Sequence, residues 1–147
     1  MDLLLSLCIG LGLSACCGFR VFVPILVANV AALSGHYHFG HGFEWLATWT
    51  AFGVLATATV LEIGAYYIPW VDNLLDTIAT PAAMIAGTIL TTAFLSDDLD
   101  PMMKWAAGLI VGGGSAGLVQ AGTSLLRFTS STTTGGLGNP IVATAEN

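Results

Sequence analysis

Charge is scarce in this sequence, and positive charge is scarcest. Only 8% of the 147 residues are charged, and three lysines and arginines stand against nine acids, so that the formal net charge is −6. A nucleic-acid-binding surface needs clustered basic residues, and we expect no such partner. The three cysteines all lie within the first 17 positions, which excludes a disulfide framework and a cysteine metal cluster.

Apolar residues take the place of charge. They make up 55% of the chain, and the mean hydropathy is +0.83. This composition is typical of a chain with several membrane segments. We therefore predict an all-α fold, a polytopic transmembrane helical bundle of about four membrane segments. The first segment lacks a basic leader and is too long for a secretory signal, so we expect it to be retained.

The first apolar run, residues 3–33, is interrupted in its middle. One straight helix of this length would extend about 45 Å, against about 30 Å for the hydrocarbon core of a bilayer. Gly18, Arg20 and Pro24 lie inside the run. Arginine is costly in lipid, and proline removes a helical hydrogen bond. We predict two shorter helices joined near residues 17–20, a broken or re-entrant first segment whose joint faces the bundle interior.

Three more helices are predicted beyond this run. They span residues 44–68, 73–95 and 101–128. Pro81 is expected to kink the second of these, and Pro101 to open the third at its first position. The transmembrane helical domain thus covers residues 1–128, and a Ser/Thr/Gly-rich tail follows at 129–147.

The last predicted helix is rich in glycine. Gly108 with Gly112, and Gly113 with Gly117, form two G-x-x-x-G pairs, the spacing that lets helix backbones approach closely in lipid. We interpret these four as helix-packing residues, with a pore-lining or hinge role as the alternative. Small residues recur at the same spacing in the first run, at Gly10, Ser14 and Gly18.

The tail contains a glycine-rich turn before Pro140. A turn of this kind can present free backbone N–H groups to an anion. The residues of this backbone anion or turn site are Gly135, Gly136, Gly138 and Asn139. No lysine follows, as it would in a Walker-type loop, and the simpler interpretation is a surface turn with a frayed end.

The loop after the first run holds all three histidines, His36, His38 and His41. The pattern H-x-H-x-x-H could supply nitrogens to a metal, but histidine, tyrosine and tryptophan are also common where a chain meets the membrane surface. We expect an interfacial loop, no metal and no cofactor. Motifs of hydrolases and metalloproteases are absent, so we do not expect an enzyme.

Four charged residues are predicted at or near membrane depth: Arg20, Glu62, Asp72 and Asp76. A lone charge there is expensive, so Arg20 should pair with an acid, first with Glu62 and otherwise with the two aspartates. Asp72 and Asp76 share a helix face, and two ionised carboxylates so close together repel each other strongly in a low dielectric. The surplus acid indicates a proton or cation pathway. The simpler alternative is a structural Arg20–Glu62 pair, with Asp72 and Asp76 capping a helix in the headgroup zone.

Three stretches carry a family resemblance. They are GFRVFVP at residues 18–24, EIGAYYIPWVD at 62–72 and GGLGNP at 135–140. They resemble a family of small bacterial inner-membrane proteins that is catalogued as a domain of unknown function. The resemblance implies a membrane fold in the bacterial inner membrane and transfers no activity. Family members continue into another apolar helix, so we expect this chain to be truncated or naturally short.

These observations favour a small integral membrane transporter or channel for a proton or a small cationic solute, working as a homo-oligomer in the lipid bilayer. The alternative is a non-catalytic membrane assembly or accessory protein that associates through its glycine-rich helices. Lys104 and Arg127 flank the last helix on opposite sides, so the positive-inside rule leaves the orientation open.

Overall fold

The computed structural model describes residues 3–65, 67 and 69–134, with the side chains at 3, 69–76, 130, 131, 133 and 134 left out. This part of the chain is helical and contains no strand, which confirms the all-α class. Its elements are α1 (Leu3–Cys17), α2 (Phe22–Leu33), a 3-10 turn (Glu44–Ala47), α3 (Trp49–Ala65), α4 (Pro69–Phe94), α5 (Pro101–Ala107), a π-helical segment (Gly108–Gly113) and α6 (Gly114–Thr134).

Helix α1 runs antiparallel to α4. A Cβ placed on Gly10 would lie 3.1 Å from the Cα of Thr91, and the Ser14 hydroxyl donates to the Gly87 carbonyl at 2.8 Å. Residue numbers therefore increase along α1 in the direction in which they decrease along α4. When α1 ends at Cys17, it has reached only the middle of α4.

The chain then folds back. Residues 18–21 are not helical, and α2 begins beside Ala79 and Ala82, near the middle of α4. Beyond the end of α2, the Tyr37 hydroxyl donates to the Phe94 carbonyl at the last residue of α4. The two helices therefore form a hairpin with its tip at mid-bundle. This confirms the predicted break in the first run.

Small residues let the neighbours of α4 approach it closely. A Cβ on Gly112 would collide with the Gly87 carbonyl, and one on Gly108 would collide with the Thr92 hydroxyl. The same side of the helix carries the other predicted packing glycines, Gly113 and Gly117. We call this contact the glycine seam. Because its glycines face α4 of the same chain, the glycine seam packs helices within the protomer.

The structure differs from the prediction at the start of α4, at the end of the last helix and within that helix. Helix α4 begins at Pro69, since proline fits the first turn of a helix, so Asp72 lies inside α4 and is not its cap. The last helix continues to Thr134 instead of ending at residue 128. It also passes through the π-helical segment Gly108–Gly113, which no feature of the sequence pattern predicted.

The predicted helix at 44–68 is divided by an extended residue. Thr48 has φ −110° and ψ 152°, and separates the 3-10 turn from α3. The fully buried Asn29 of α2 donates its amide to the carbonyls of Leu46 (2.5 Å) and Thr48 (3.2 Å). The Thr48 carbonyl also accepts the N–H of Phe52 in α3, at 3.0 Å. The two bonds from the Asn29 amide join α2 to the start of α3.

Replacing Gly112 with alanine is expected to lower the free energy of unfolding by about 1–3 kcal/mol, the usual cost of overpacking. The collision is with backbone, which cannot rotate away. Thermal unfolding of the purified protein in detergent measures the effect.

Gly114→Ala is the matched control, because a Cβ there meets nothing within 4 Å. It should leave stability unchanged or raise it slightly, as alanine favours helix. Equal stability of the two variants would contradict the described seam.

Candidate functional site at the tip of the hairpin

The break between α1 and α2 is closed by Glu62 of α3. Its Oε1 accepts the N–H of Val21 at 2.6 Å, and its Oε2 accepts the N–H of Phe22 at 3.1 Å. These donors open α2, whose own N-cap residue makes no side-chain cap. The partial positive charge of a helix N-terminus also favours a carboxylate. Glu62, only 7% exposed, thus caps a helix that is distant in sequence.

Arg20 lies at the same joint, one residue before the capped backbone. It is 5% exposed, and its charge acts on the Glu62 carboxylate. Arg20 and Glu62 lie at the same joint, but no ion pair between these two described side chains is found, so the pairing expected from the sequence stays a prediction. Sequence reasoning missed the backbone N–H groups as partners of Glu62, because backbone donors have no signature in residue type.

The predicted aspartates and the predicted tail turn lie partly or wholly outside the described residues. The backbones of Asp72 and Asp76 belong to α4, but their side chains lie outside the described residues. The predicted turn site lies wholly outside the described residues, at Gly135, Gly136, Gly138 and Asn139.

A cavity of about 390 Å³ adjoins Glu62. It lies between the start of α2, the second half of α3 and the middle of α4. Its described lining residues are Val21, Phe22, Ala58, Leu61, Glu62, Ala65, Ile78, Ala79 and Ala82. Glu62 is the charged member of this set, and the others are apolar. Its volume falls within the range of about 300–1,000 Å³ for small-molecule sites.

Two buried hydroxyl groups join α1 to α4 on the other side of the joint. Ser14 and Thr91 are both 0% exposed, and their oxygens are 2.7 Å apart. Since Ser14 donates to the Gly87 carbonyl, Thr91 donates to Ser14. The sequence predicted Ser14 only as a small packing residue.

A polar stripe on α6 is also buried. Gln120, Thr123 and Arg127 follow one another at spacings of three and four residues, which places them on one helix face, and all are at most 5% exposed. The sequence treated Arg127 as a flanking charge. The signal that could have found the stripe was its helical spacing.

The loop after α2 is held at the far end of α4. Lys104 Nζ lies 2.6 Å from Asp97 Oδ1, and Asp97 also accepts the backbone N–H of His41. We call these three residues the loop clasp. The hydrogen bond from Lys104, assisted by the N–H of His41, holds the pKa of Asp97 below its ordinary value. The Lys104 side chain is 9% exposed and that of Asp97 43%.

The three histidines do not form one cluster. His36, His38 and His41 are exposed. His36 Nδ1 is hydrogen-bonded to Ser34, and His41 lies 3.5 Å from Glu44. Within the part of the chain that the structure describes, no three histidine, cysteine or acidic side chains could hold a metal ion together.

These features define an all-helical bundle with a capped hairpin tip at its middle. Two of its helical stretches, Thr77–Phe94 and Pro101–Thr129, are long and apolar enough to cross a membrane. The chain belongs to the family described as a domain of unknown function, DUF4126, whose family model matches residues 7–147. No curated protein and no solved structure matches the chain.

Replacing Asp97 with asparagine should lower stability near neutral pH by less than about 1 kcal/mol, since the pair is partly exposed. The ordinary pKa of aspartate is about 3.9, and the folded pKa is lower. The stabilisation is therefore present above about pH 4 and is lost as the pH falls through the folded pKa. Unfolding measured across acid pH tests this expectation.

Asp98→Asn provides the control, because Asp98 is exposed and its Oδ2 accepts from the neighbouring Ser96 hydroxyl. If the two variants lost stability equally, or if the Asp97→Asn deficit grew on acidification, the clasp would not have the assigned role.

Proposed function

We propose that this chain is a multi-pass protein of the bacterial inner membrane that transports a proton or a small cationic solute. Glu62 is the group that takes up and releases the proton, and Arg20 balances its charge. The observation that carries the proposal is a buried carboxylate at mid-bundle, bound to the open end of a broken helix and adjoining a cavity.

The distribution of polarity supports a membrane location. On α6 the apolar Leu118 is 78% exposed while Gln120 is 3% exposed. A protein in water would reverse this arrangement, whereas a lipid environment favours apolar side chains outside and polar ones between helices. In a bilayer, the α1–α2 hairpin would be re-entrant, since both ends lie near the same end of α4. Such backbone breaks are tolerated at membrane depth where protein surrounds them.

The break between α1 and α2 supports a transport function more specifically than the distribution of polarity does. Many secondary transporters bind their ion or substrate at the ends of discontinuous helices near the bilayer midplane. Ionisable side chains within membrane segments commonly mark ion pathways and proton relays. The tip at residues 18–21 combines both features, with Arg20 and Glu62 beside the first turn of α2.

Protonation of Glu62 would alter the contact that holds the tip. The ionised carboxylate accepts hydrogen bonds on both oxygens, from Val21 and Phe22. Protonation removes the negative charge and turns one oxygen into a hydroxyl, which is a weaker hydrogen-bond acceptor, so the bonds from the two N–H groups weaken. Proton uptake would therefore loosen the start of α2, and proton release would fix it again. The change couples the charge of one residue to a movable element.

The proposal retains two expectations from the sequence. Asp72 and Asp76 are further acids of the pathway, because they follow Glu62 closely and share a helix face. Copies of the chain associate into a homo-oligomer through a surface other than the glycine seam, since the seam is occupied within the protomer.

Proton flux into proteoliposomes that contain a pH-sensitive dye tests the proposal. The wild-type protein should dissipate an imposed pH gradient, with or without an added inorganic cation gradient. Glu62→Gln should reduce the rate at least tenfold, since glutamine keeps the shape of the side chain but does not titrate in this range.

Glu44→Gln is the matched control, because Glu44 is exposed in the loop and its removal should leave flux unchanged. A Glu62→Gln variant that folds normally and transports at the wild-type rate would refute the assigned role. A wild-type protein without flux under any gradient would refute the proposed function.

A further inference from the structure

The cavity beside Glu62 has walls that do not suit a hydrated ion. Apart from Glu62, its described lining is formed by alanine, valine, leucine, isoleucine and phenylalanine side chains. A sodium ion or proton needs little space, whereas the volume of about 390 Å³ accommodates a small organic molecule. The described walls are apolar apart from one acid, and such walls complement a ligand that is itself apolar and carries one positive charge.

We propose that this cavity binds a lipophilic organic monocation, which the Glu62 carboxylate holds in exchange for a proton. The inference rests on the proposed function and names its substrate class. On binding, Glu62 gives up its proton to water and its negative charge faces the cation. On release, the carboxyl takes a proton back. The net charge of the site is the same in the two states, because the bound cation replaces the proton that Glu62 gives up, so the exchange adds no further charge in low dielectric.

The geometry of Glu62 leaves room for this partner. Each carboxylate oxygen has two lone pairs, and one backbone N–H occupies one position on each oxygen. Glu62 also lines the cavity. Arg20 is not among its described lining residues, so the cavity wall presents the acid rather than the base. A quaternary cation donates no hydrogen bond and needs only the charge and the apolar contact.

The rim of the cavity indicates how such a ligand enters. Phe22, Leu61 and Ile78 line it and are also exposed on the outside of the bundle, by 36%, 67% and 57%. If the bundle lies in a bilayer, these side chains face lipid. The cavity then opens sideways towards the hydrocarbon, where a lipophilic cation is already concentrated. Hydrophilic cations of similar charge would not reach it.

Equilibrium binding to the full-length protein in detergent tests the proposal, with tetraphenylphosphonium as the probe and tetraphenylborate as its matched anion. The phosphonium should bind saturably, more weakly as the pH falls, and at least tenfold more weakly to Glu62→Gln. The borate has nearly the same shape and apolar surface but the opposite charge, and should bind at least tenfold more weakly than the phosphonium.

A second variant separates the cavity from the carboxylate. Ala58→Leu fills part of the cavity and should weaken phosphonium binding at least fivefold while Glu62 remains. Ala121→Leu makes the same exchange at an exposed position on α6 and should have no effect. Normal thermal unfolding of both variants excludes a general loss of fold.

Equal binding of phosphonium and borate, or unchanged binding to both Glu62→Gln and Ala58→Leu, would overturn this inference. If proteoliposomes nevertheless showed Glu62-dependent proton flux, the proposed function would stand without the lipophilic cation as its substrate. If phosphonium bound as expected but a phosphonium gradient drove no proton flux, the cavity would remain assigned as a binding site. The proposed transport function would be refuted.

Discussion

A helix that begins in the middle of a bundle needs acceptors for its first N–H groups, and here Glu62 supplies them. The carboxylate bonds the backbone of Val21 and Phe22 across 41 and 40 residues of sequence. Buried N–H groups without acceptors would cost more than the bonds themselves contribute. The return of α2 towards the far end of α4, and the position of α3 beside it, both depend on this contact.

A second constraint is the close packing of helices against α4. The glycine seam and the Ser14–Thr91 hydroxyl pair hold α1, α4 and α5–α6 so closely that an added Cβ would meet backbone. In lipid there is little hydrophobic driving force between helices, because the solvent is itself apolar. Close packing and interhelical hydrogen bonds are then the main sources of helix association. The tip of the hairpin is close-packed on one side, where a Cβ on Gly18 would collide with the Ala116 carbonyl of α6. A cavity adjoins its other residues, Val21 and Phe22.

The outline of the fold was predictable because it depends on local or compositional properties. The run of residues 3–33 is too long for one span, and Gly18, Arg20 and Pro24 mark its break. Glycines at intervals of four predicted close packing of the last helix. The π-helical segment and the extended Thr48 were not predictable, because both lie at contacts between elements that are distant in sequence. The π-helical segment forms part of the glycine seam against α4, and Thr48 contacts the Asn29 amide of α2.

The sequence by itself therefore determined that this chain is helical and apolar, and that its first apolar run is interrupted. It also determined that a few charged residues lie within apolar segments, where a charge is energetically unfavourable. Only the tertiary structure decided what those charges touch. Glu62 binds backbone N–H groups beside Arg20, and Lys104 binds Asp97 in the loop clasp. The reason is physical: helix periodicity and composition repeat along the chain, but a contact between distant residues depends on how the helices pack, and a backbone donor is the same at every non-proline position.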